Sequence, residues 1–189
     1  MSAIKEFFSP FTGGVVMSID ARTVTGAVWR VGANIDTDAL APGHAMSKGL
    51  EVVAQHCLEA IRPDFSSGVR QGDYLVSGPA FGIGSSREQA ASALVALGVS
   101  AVIAPSFSGL YFRNAFNVGL LLVTCSRAEE LVDADQLTLH LAPASGVTLT
   151  SARLGELPCA PIPDFLIHRV LVGGLLNELK QRKSRENHG

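Results

Sequence analysis

The sequence has few of the features that mark a membrane, secreted or nucleic-acid-binding protein. Among its 189 residues no apolar run approaches the roughly 20 needed to cross a bilayer. Residues 1–20 also lack a basic start followed by an apolar stretch and a small-residue cleavage site. The formal net charge is -2, so no cationic field attracts nucleic acid. We therefore expect a cytoplasmic protein with no nucleic-acid or membrane partner.

Cysteine is scarce: the chain has 3, at positions 57, 125 and 159, and none lies in a CxxC pair. This spacing argues against a disulfide framework and against a self-contained zinc or iron–sulfur site, so we expect the cysteines to be small buried hydrophobes. Four histidines show no ligand spacing either: His56, His140, His168 and His188. No metal site is predicted on this chain.

What the chain does contain is a large apolar fraction, with 47% hydrophobic and 17% charged residues, which is enough to build one globular domain. Residues 1–22 show no period and are predicted to be an N-terminal extension, with the folded domain at 23–189. Within that domain "GDYLVSG", a helix ending near Leu97 and the apolar "VSAVIAPS" form a βαβ pattern. We expect an α/β fold whose central mixed or parallel sheet is flanked by helices.

Other segments extend this pattern. A strand at 23–31, a helix in "LEVVAQHCLEAI", a helix in "RAEELVDA" and a hairpin in "QLTLHLAPASGVTLTSARLG" are predicted from periodicity and turn residues. The helix in "SGLYFRNAFNVG" is expected to close at Gly119. The C-terminal helix is expected to break at Gly173 and Gly174 and to end in a solvated basic segment.

The stretch "FGIGSSREQAASALVALG" joins two glycines, two serines and an arginine to the start of an alanine-rich helix. One explanation is a capping box, in which Ser85 caps the helix and Glu88 reaches back to the first free N–H. That explanation leaves Arg87 unexplained, because a cation in the first turn opposes the helix macrodipole. Its presence indicates a nearby anion, to which Gly82 and Gly84 would allow close backbone approach. Both explanations stay open on these residues.

Nucleotide-binding motifs do not fit this stretch. The dinucleotide fingerprint needs a third glycine where Arg87 stands, and the phosphate-binding P-loop needs Gly-Lys-Ser/Thr, which is missing. The residues thus favour a carboxylate or a small phosphate over a nucleotide.

Four segments, in order, carry a resemblance to a known family: "GANIDTDALAPG", "GDYLVSGPAFGIGSSREQA", "GVSAVIAPSFSGLYFRNAFNVGLLLV" and "PDFLIHRVLVGGLLNELK". Together they resemble the swivelling domain of the aconitase superfamily, most closely the 3-isopropylmalate dehydratase small subunits. The resemblance covers about Thr23 to Lys180. It implies a single swivelling β/β/α domain.

The resemblance also implies half of an active site. The small subunit would close over a large partner subunit that carries a four-iron four-sulfur cluster, with none on this chain. The substrate would be a small di- or tricarboxylic acid that loses water and regains it at the neighbouring carbon. By motif match Ser85 would be the catalytic base, with Ser86 as a hydrogen-bond donor at the substrate, Arg87 as its carboxylate ligand, and Gly84 beside it.

Further site residues are expected in two loops. In "NIDTD" the residues themselves indicate turn chemistry for Asp36 and Asp38, whereas the resemblance places Asp38 where it would orient a catalytic histidine of the partner. His44 and Lys48 in "PGHAMSKG" are candidates for a second substrate carboxylate. A solvated loop lysine is the alternative. Asn114 and Asn117 are expected to satisfy buried backbone.

Two departures from the family pattern leave the substrate open. Gln89 follows SSRE where histidine is usual, and "PGHAMSKG" lacks the usual tyrosine-leucine run. The first expectation is interconversion of 3-isopropylmalate and 2-isopropylmalate in leucine biosynthesis. The alternatives are a dehydratase for a methyl- or dimethylmalate or of homoaconitate type, and a stand-alone carboxylate-binding module.

Overall fold

A computed structural model describes residues 21–143 and 145–186, and a seven-stranded mixed sheet forms its centre. The strands are β1 (Arg22–Arg30), β2 (Tyr74–Val76), β3 (Ala101–Ala104), β4 (Leu121–Thr124), β5 (Gln136–Ala142), β6 (Gly146–Ser151) and β7 (Gly155–Leu157). Their order is β4-β3-β2-β1-β5-β6-β7. Strands β1 to β4 run parallel, while β5, β6 and β7 each pair antiparallel with their neighbours. The expected α/β fold with a central mixed sheet is confirmed.

Seven α-helices pack around this sheet in the described residues. They are α1 (Thr37–Leu40), α2 (Leu50–Gln55), α3 (Phe65–Gly68), α4 (Glu88–Ala96), α5 (Gly109–Val118), α6 (Asp164–Leu171) and α7 (Leu175–Glu186). Helix α4 connects β2 to β3, and α5 connects β3 to β4, which gives the predicted βαβ units. Helix α4 turns a face of small residues toward the core, burying Ala90, Ala91, Ala93 and Leu94.

The core lies around the parallel half of the sheet. All residues of β2 and β3 are buried, from Tyr74 to Val76 and from Ala101 to Ala104, which agrees with their continuous apolar sequence. Large side chains from the helices and loops fill the remaining space, among them Phe65, Phe81, Tyr111 and Phe116. Their burial fixes the ends of the parallel strands, from which the functional loops emerge.

Several local predictions are confirmed. Strands β5 and β6 form the predicted hairpin, and α5 closes at Gly119 in the left-handed conformation with φ of 86°. The C-terminal helix is broken at Gly173 and Gly174, both with positive φ, into α6 and α7. Residues 181–185 of α7 are exposed, as expected for a solvated basic end.

Other predictions need correction. The segment "RAEELVDA" forms only a 3-10 turn at Ala128–Glu130, because the chain must extend from Leu131 onward toward β5. The helix that begins at Leu50 ends at Gln55 and continues as turns.

Two of the cysteines are neighbours in the fold. Cys125 and Cys159 face each other across an isolated antiparallel bridge, and Cys159 is only half-buried, contrary to expectation. Interaction with the Cys159 thiol lowers the pKa of the Cys125 thiol. Cys57 is buried as predicted, and burial raises its pKa.

The predicted extension at residues 1–22 lies almost entirely outside the described residues, and β1 already starts at Arg22. His188 also lies outside them. Across 21–143 and 145–186 no helix has both the length and the apolar character required to cross a bilayer.

Candidate active site

Two loops meet at the carboxyl-terminal edge of the parallel strands. One follows β1 and carries Asp36, and the other follows β2 and carries Ile83; the two residues form a parallel bridge. The N–H groups of Gly82 and Ile83 both donate to the Ile35 carbonyl, over 2.7 and 3.2 Å. In open sheets of parallel strands this edge is the usual place for ligands. The two motifs NIDTD and GIGSSRE are thereby brought together.

The glycines shape the second loop. Gly82 has φ of +77°, and a Cβ there would lie 2.2 Å from the ring of Tyr111. Gly84 has φ of +101°, and a Cβ there would lie 3.0 Å from Thr37 Oγ1. Because only glycine combines a positive φ with such close packing, both positions are required for the turn itself.

The predicted capping box is wrong. Helix α4 begins at Glu88, its N-cap is Arg87, and no side chain caps it. Ser85 lies too early in the chain for the capping role and bonds instead to Thr37. Its N–H donates to Thr37 Oγ1 over 3.0 Å, and the two hydroxyl oxygens are 3.2 Å apart. The Ser85 side chain is therefore held by the first loop rather than by the helix.

Arg87 pairs with Asp38 across the two loops. The guanidinium donates from Nη1 to Asp38 Oδ1, and also to the Ala41 carbonyl over 3.3 Å. The Arg87 side chain is 29% exposed, whereas that of Asp38 is 68% exposed. A carboxylate of this chain thus supplies the anion that a cation in the first turn requires. The pair leaves Asp38 largely open to an approaching partner.

Asp36 performs the predicted turn chemistry. It caps α1, since its Oδ1 accepts from the N–H of Ala39 over 2.7 Å. Asn114 donates from Nδ2 to the carbonyl of Ser86 over 2.9 Å, which is a backbone group as expected, but of an exposed residue rather than a buried one. The Asn117 side chain does not bond to backbone as expected. Its Oδ1 accepts from the Arg169 side chain over 3.2 Å.

The two candidates in the loop after α1 have different surroundings. Lys48 is exposed at the end of the 3-10 turn Met46–Lys48. His44 is also exposed, but its Nε2 lies 3.3 Å from Glu59 Oε1. A hydrogen bond from His56, together with the charges of His56 and His44, lowers the pKa of the exposed Glu59 carboxyl. Substrate contact by His44 and Lys48 stays a prediction.

The loop with the serines is open on one side. Residues 83–86 are all exposed, and Ile83 presents an apolar side chain beside them. The loop has the donors and the cation of a carboxylate site, and within residues 21–143 and 145–186 these groups are not enclosed.

A cavity of about 440 Å³ lies at the opposite end of β2, where Trp29, Arg62, Asp73 and Asp133 are among its lining residues. Asp73 accepts from Trp29 Nε1 over 3.0 Å, and Arg62 pairs with Asp133 over 2.8 Å. These charged groups are already engaged within the chain. Asp73 precedes β2, whereas Ser85 follows it, so the cavity is remote from the serine loop.

Thr37 contacts the candidate site, and the sequence analysis did not single it out. It is 1% exposed and stands between the two aspartates of NIDTD. A signal was present, because a threonine next to Asp38, which was assigned to the site, is a candidate to support that site. The partner of its hydroxyl, Ser85, lies 48 residues away and could be found only from the fold.

Comparison with known proteins first identifies the class of protein to which the chain belongs. Residues 46–128 match the model of the aconitase C-terminal domain family. This match contains the serine loop, α4, β3 and α5. The class is therefore the aconitase-type domain.

Relatives then define the family. A 3-isopropylmalate dehydratase small subunit of Syntrophus aciditrophicus is 42% identical over 87% of this chain and 98% of its own length. A methanogen homoaconitase small subunit of Methanothermobacter thermautotrophicus is 39% identical over 82% of this chain and 89% of its own. The crystal structure of 3-isopropylmalate dehydratase (leuD) from Methanocaldococcus jannaschii superposes with a TM-score of 0.79 at 32% identity, covering 88% of this chain and 99% of that one.

The chain belongs to the family of 3-isopropylmalate dehydratase small subunits. Members of this family are named as small subunits, which implies a large partner subunit.

Proposed function

We propose that the chain is the small subunit of a hydro-lyase that interconverts 3-isopropylmalate and 2-isopropylmalate in leucine biosynthesis. The observation that carries this proposal is the exposed loop of Ser85, Ser86 and Arg87, joined to Asp38 and Thr37 of the neighbouring loop. The names of the relatives support the substrate. The open side of the loop supports a role that is completed only by a large subunit.

The four-iron four-sulfur cluster belongs, in this proposal, to the large subunit. Within the described ranges the three cysteines do not form a group close enough to share a metal. They therefore do not fit a cluster on this chain. The cluster would supply the Lewis acid that polarises the departing hydroxyl.

Ser85 is the proposed base. In dehydration the Ser85 alkoxide takes the proton from the carbon next to a carboxylate, the C–H electrons form the double bond, and hydroxide leaves. In rehydration Ser85 returns that proton. A serine alkoxide is costly in water, so it requires stabilising donors. The Thr37 hydroxyl, 3.2 Å away, can donate to it, and the guanidinium of Arg87 lies two residues further along the chain.

Arg87 is the proposed ligand of a substrate carboxylate. Its planar fork can bind a carboxylate through paired N–H bonds, although it now holds Asp38 through Nη1 alone. In the assembled enzyme a carboxylate of the substrate would replace Asp38 as a hydrogen-bond partner of the Arg87 guanidinium. Asp38, already 68% exposed, would then be free to orient a histidine of the large subunit. Gly84 and Ser86 would line the same carboxylate, and Lys48 or His44 a second one.

Reconstitution with the large subunit tests the proposal. The cluster-loaded pair is assayed on 3-isopropylmalate, a methylmalate, a dimethylmalate and homoaconitate, and kcat/KM is expected to be highest on the first. The substrate alternatives follow from Gln89 and from the altered loop around His44. Equal or higher activity on another substrate would overturn the assignment of substrate while leaving the hydro-lyase class intact.

Calorimetry on the isolated chain tests the stand-alone binding module. Since Arg87 is engaged by Asp38 and the loop is open, the chain alone is expected to bind 3-isopropylmalate weakly or undetectably. Micromolar affinity of the isolated chain would contradict the half-site model.

A further inference from the structure

A second group of chemistry-bearing side chains lies outside the serine loop. His44, from the turn after α1, meets His56 and Glu59, from the end of α2. His44 Nε2 is 3.3 Å from Glu59 Oε1, and His56 Nδ1 is 2.5 Å from Glu59 Oε2. The two imidazole rings stand edge to face with centroids 4.9 Å apart. One potential ligand atom from each residue lies within 4.8 Å of the others.

The chemistry of this group suits a divalent transition metal. Two imidazoles and one carboxylate are a common set of three protein ligands for Zn²⁺ and related ions, which leaves a coordination position for water. Nitrogen and oxygen ligands at about 2.0–2.1 Å from a tetrahedral ion lie roughly 3.3 Å from each other. The distance between His44 Nε2 and Glu59 Oε1 already has this value. The other distances between ligand atoms would have to adjust, and the three side chains that carry these atoms are 37% to 54% exposed.

Hydrogen bonds without a metal are the alternative explanation. In that case each imidazole donates one ring N–H to the Glu59 carboxylate, whereas in a metal site the same ring nitrogens carry no proton and act as ligands. Neutral rings have lone pairs that a metal ion can use. We propose that His44, His56 and Glu59 form a binding site for a divalent transition metal ion such as Zn²⁺.

Occupancy of this site would cross-link two parts of the chain. His56 and Glu59 are held by α2 and its C-terminal turn, whereas His44 lies in the loop between Pro42 and Gly49. A shared ion would fix this loop, and with it Lys48, against α2. A metal-bound His44 is no longer available to a substrate carboxylate. The two roles of His44 are therefore alternatives, and the metal site does not depend on the proposed enzymatic function.

Metal titration of the full, untagged chain tests the proposal. After removal of metals with a chelator, Zn²⁺ is titrated by calorimetry and Co²⁺ by its visible absorption. One equivalent is expected to bind with micromolar affinity, with a Co²⁺ spectrum of nitrogen and oxygen ligands and a raised thermal midpoint. His44→Gln, His56→Gln and Glu59→Gln are each expected to weaken binding at least about tenfold, equal to about 1.4 kcal/mol.

Two controls locate the ion. His140→Gln, at the Thr23 hydrogen bond on the other half of the sheet, is expected to bind metal like the wild type. A Cys125→Ser/Cys159→Ser variant is also expected to retain binding. Three outcomes would each overturn the proposal. They are no stoichiometric binding by the wild type, unchanged binding in any one of the three ligand variants, and binding that is lost only when the cysteines are replaced.

Discussion

Thr37 holds Ser85 twice, by accepting the Ser85 N–H over 3.0 Å and by placing its own hydroxyl 3.2 Å from Ser85 Oγ. Because Thr37 Oγ1 already accepts from the backbone, its proton is available to the serine oxygen. The pair therefore orients Ser85 and can stabilise its alkoxide. Thr37 is buried at the start of α1, so the first loop positions the proposed base of the second.

We expect Thr37→Val to reduce kcat about 10- to 100-fold, since it removes a hydrogen bond to a charged oxygen. KM should change little, because Thr37 is buried and the proposed carboxylate ligand is Arg87. Thr37→Ser keeps the hydroxyl and should recover most of the turnover. Steady-state kinetics of the reconstituted enzyme measure kcat and KM for both variants. An equal loss in the two variants would show that packing, rather than the hydroxyl, matters at this position.

Ser85→Ala should reduce turnover at least about 100-fold while substrate still binds, because it removes general-base catalysis. Since Ser85 does not cap α4, the free energy of unfolding should stay close to that of the wild type. The matched control is Ser92→Ala, which removes only a hydroxyl bonded to the Glu88 carbonyl within α4. Near-normal turnover of Ser85→Ala in a cluster-loaded complex would refute the catalytic assignment.

Arg87→Lys keeps the positive charge but loses the planar fork, so we expect it to raise KM about tenfold with a smaller effect on kcat. Arg70→Lys, beside the cavity at the opposite end of β2, is the control for a loss of guanidinium in general. Kinetics of both variants over a range of substrate concentration separate KM from kcat. If Arg87→Lys lowered kcat and left KM unchanged, Arg87 would act on the reaction rather than on binding.

The sequence predicts the parallel half of the sheet well because β2, β3 and β4 are apolar runs that are buried almost throughout. The site is predicted less completely. The roles of Ser85 to Arg87 in a site stay predictions. The alternative explanation as a capping box is wrong, because α4 starts only at Glu88, after the glycine turn. The anion beside Arg87 was expected from the helix dipole, yet its source in Asp38 depends on the bridge between two loops. Contacts between residues distant in sequence, such as Thr37 with Ser85, follow only from the fold.

Stability at acid pH depends on Glu178, which ties α7 to α6. Its carboxylate accepts from Arg169 Nε over 2.9 Å and from Arg182 Nη2 over 2.5 Å, and the residue is 4% exposed. The hydrogen bond from Arg169 is the main cause that lowers the pKa of Glu178 from its ordinary value of 4.5. Since the folded-state pKa is the lower one, this carboxylate contributes stability above pH 4.5 and loses it as the pH falls through the folded-state pKa.

Glu178→Gln is therefore expected to lower the free energy of unfolding at pH 7 by about 1–2 kcal/mol, because it removes charge-assisted bonds to two arginines. The difference from the wild type should stay constant down to about pH 5 and shrink below pH 4.5, where Glu178 of the unfolded chain takes up a proton before Glu178 of the folded chain does. Urea unfolding at a series of pH values measures this difference. Glu129→Gln, an exposed glutamate in the 3-10 turn, should lose far less stability at pH 7. A Glu178→Gln deficit that persists undiminished at the lowest pH would assign the loss to packing rather than to the charge.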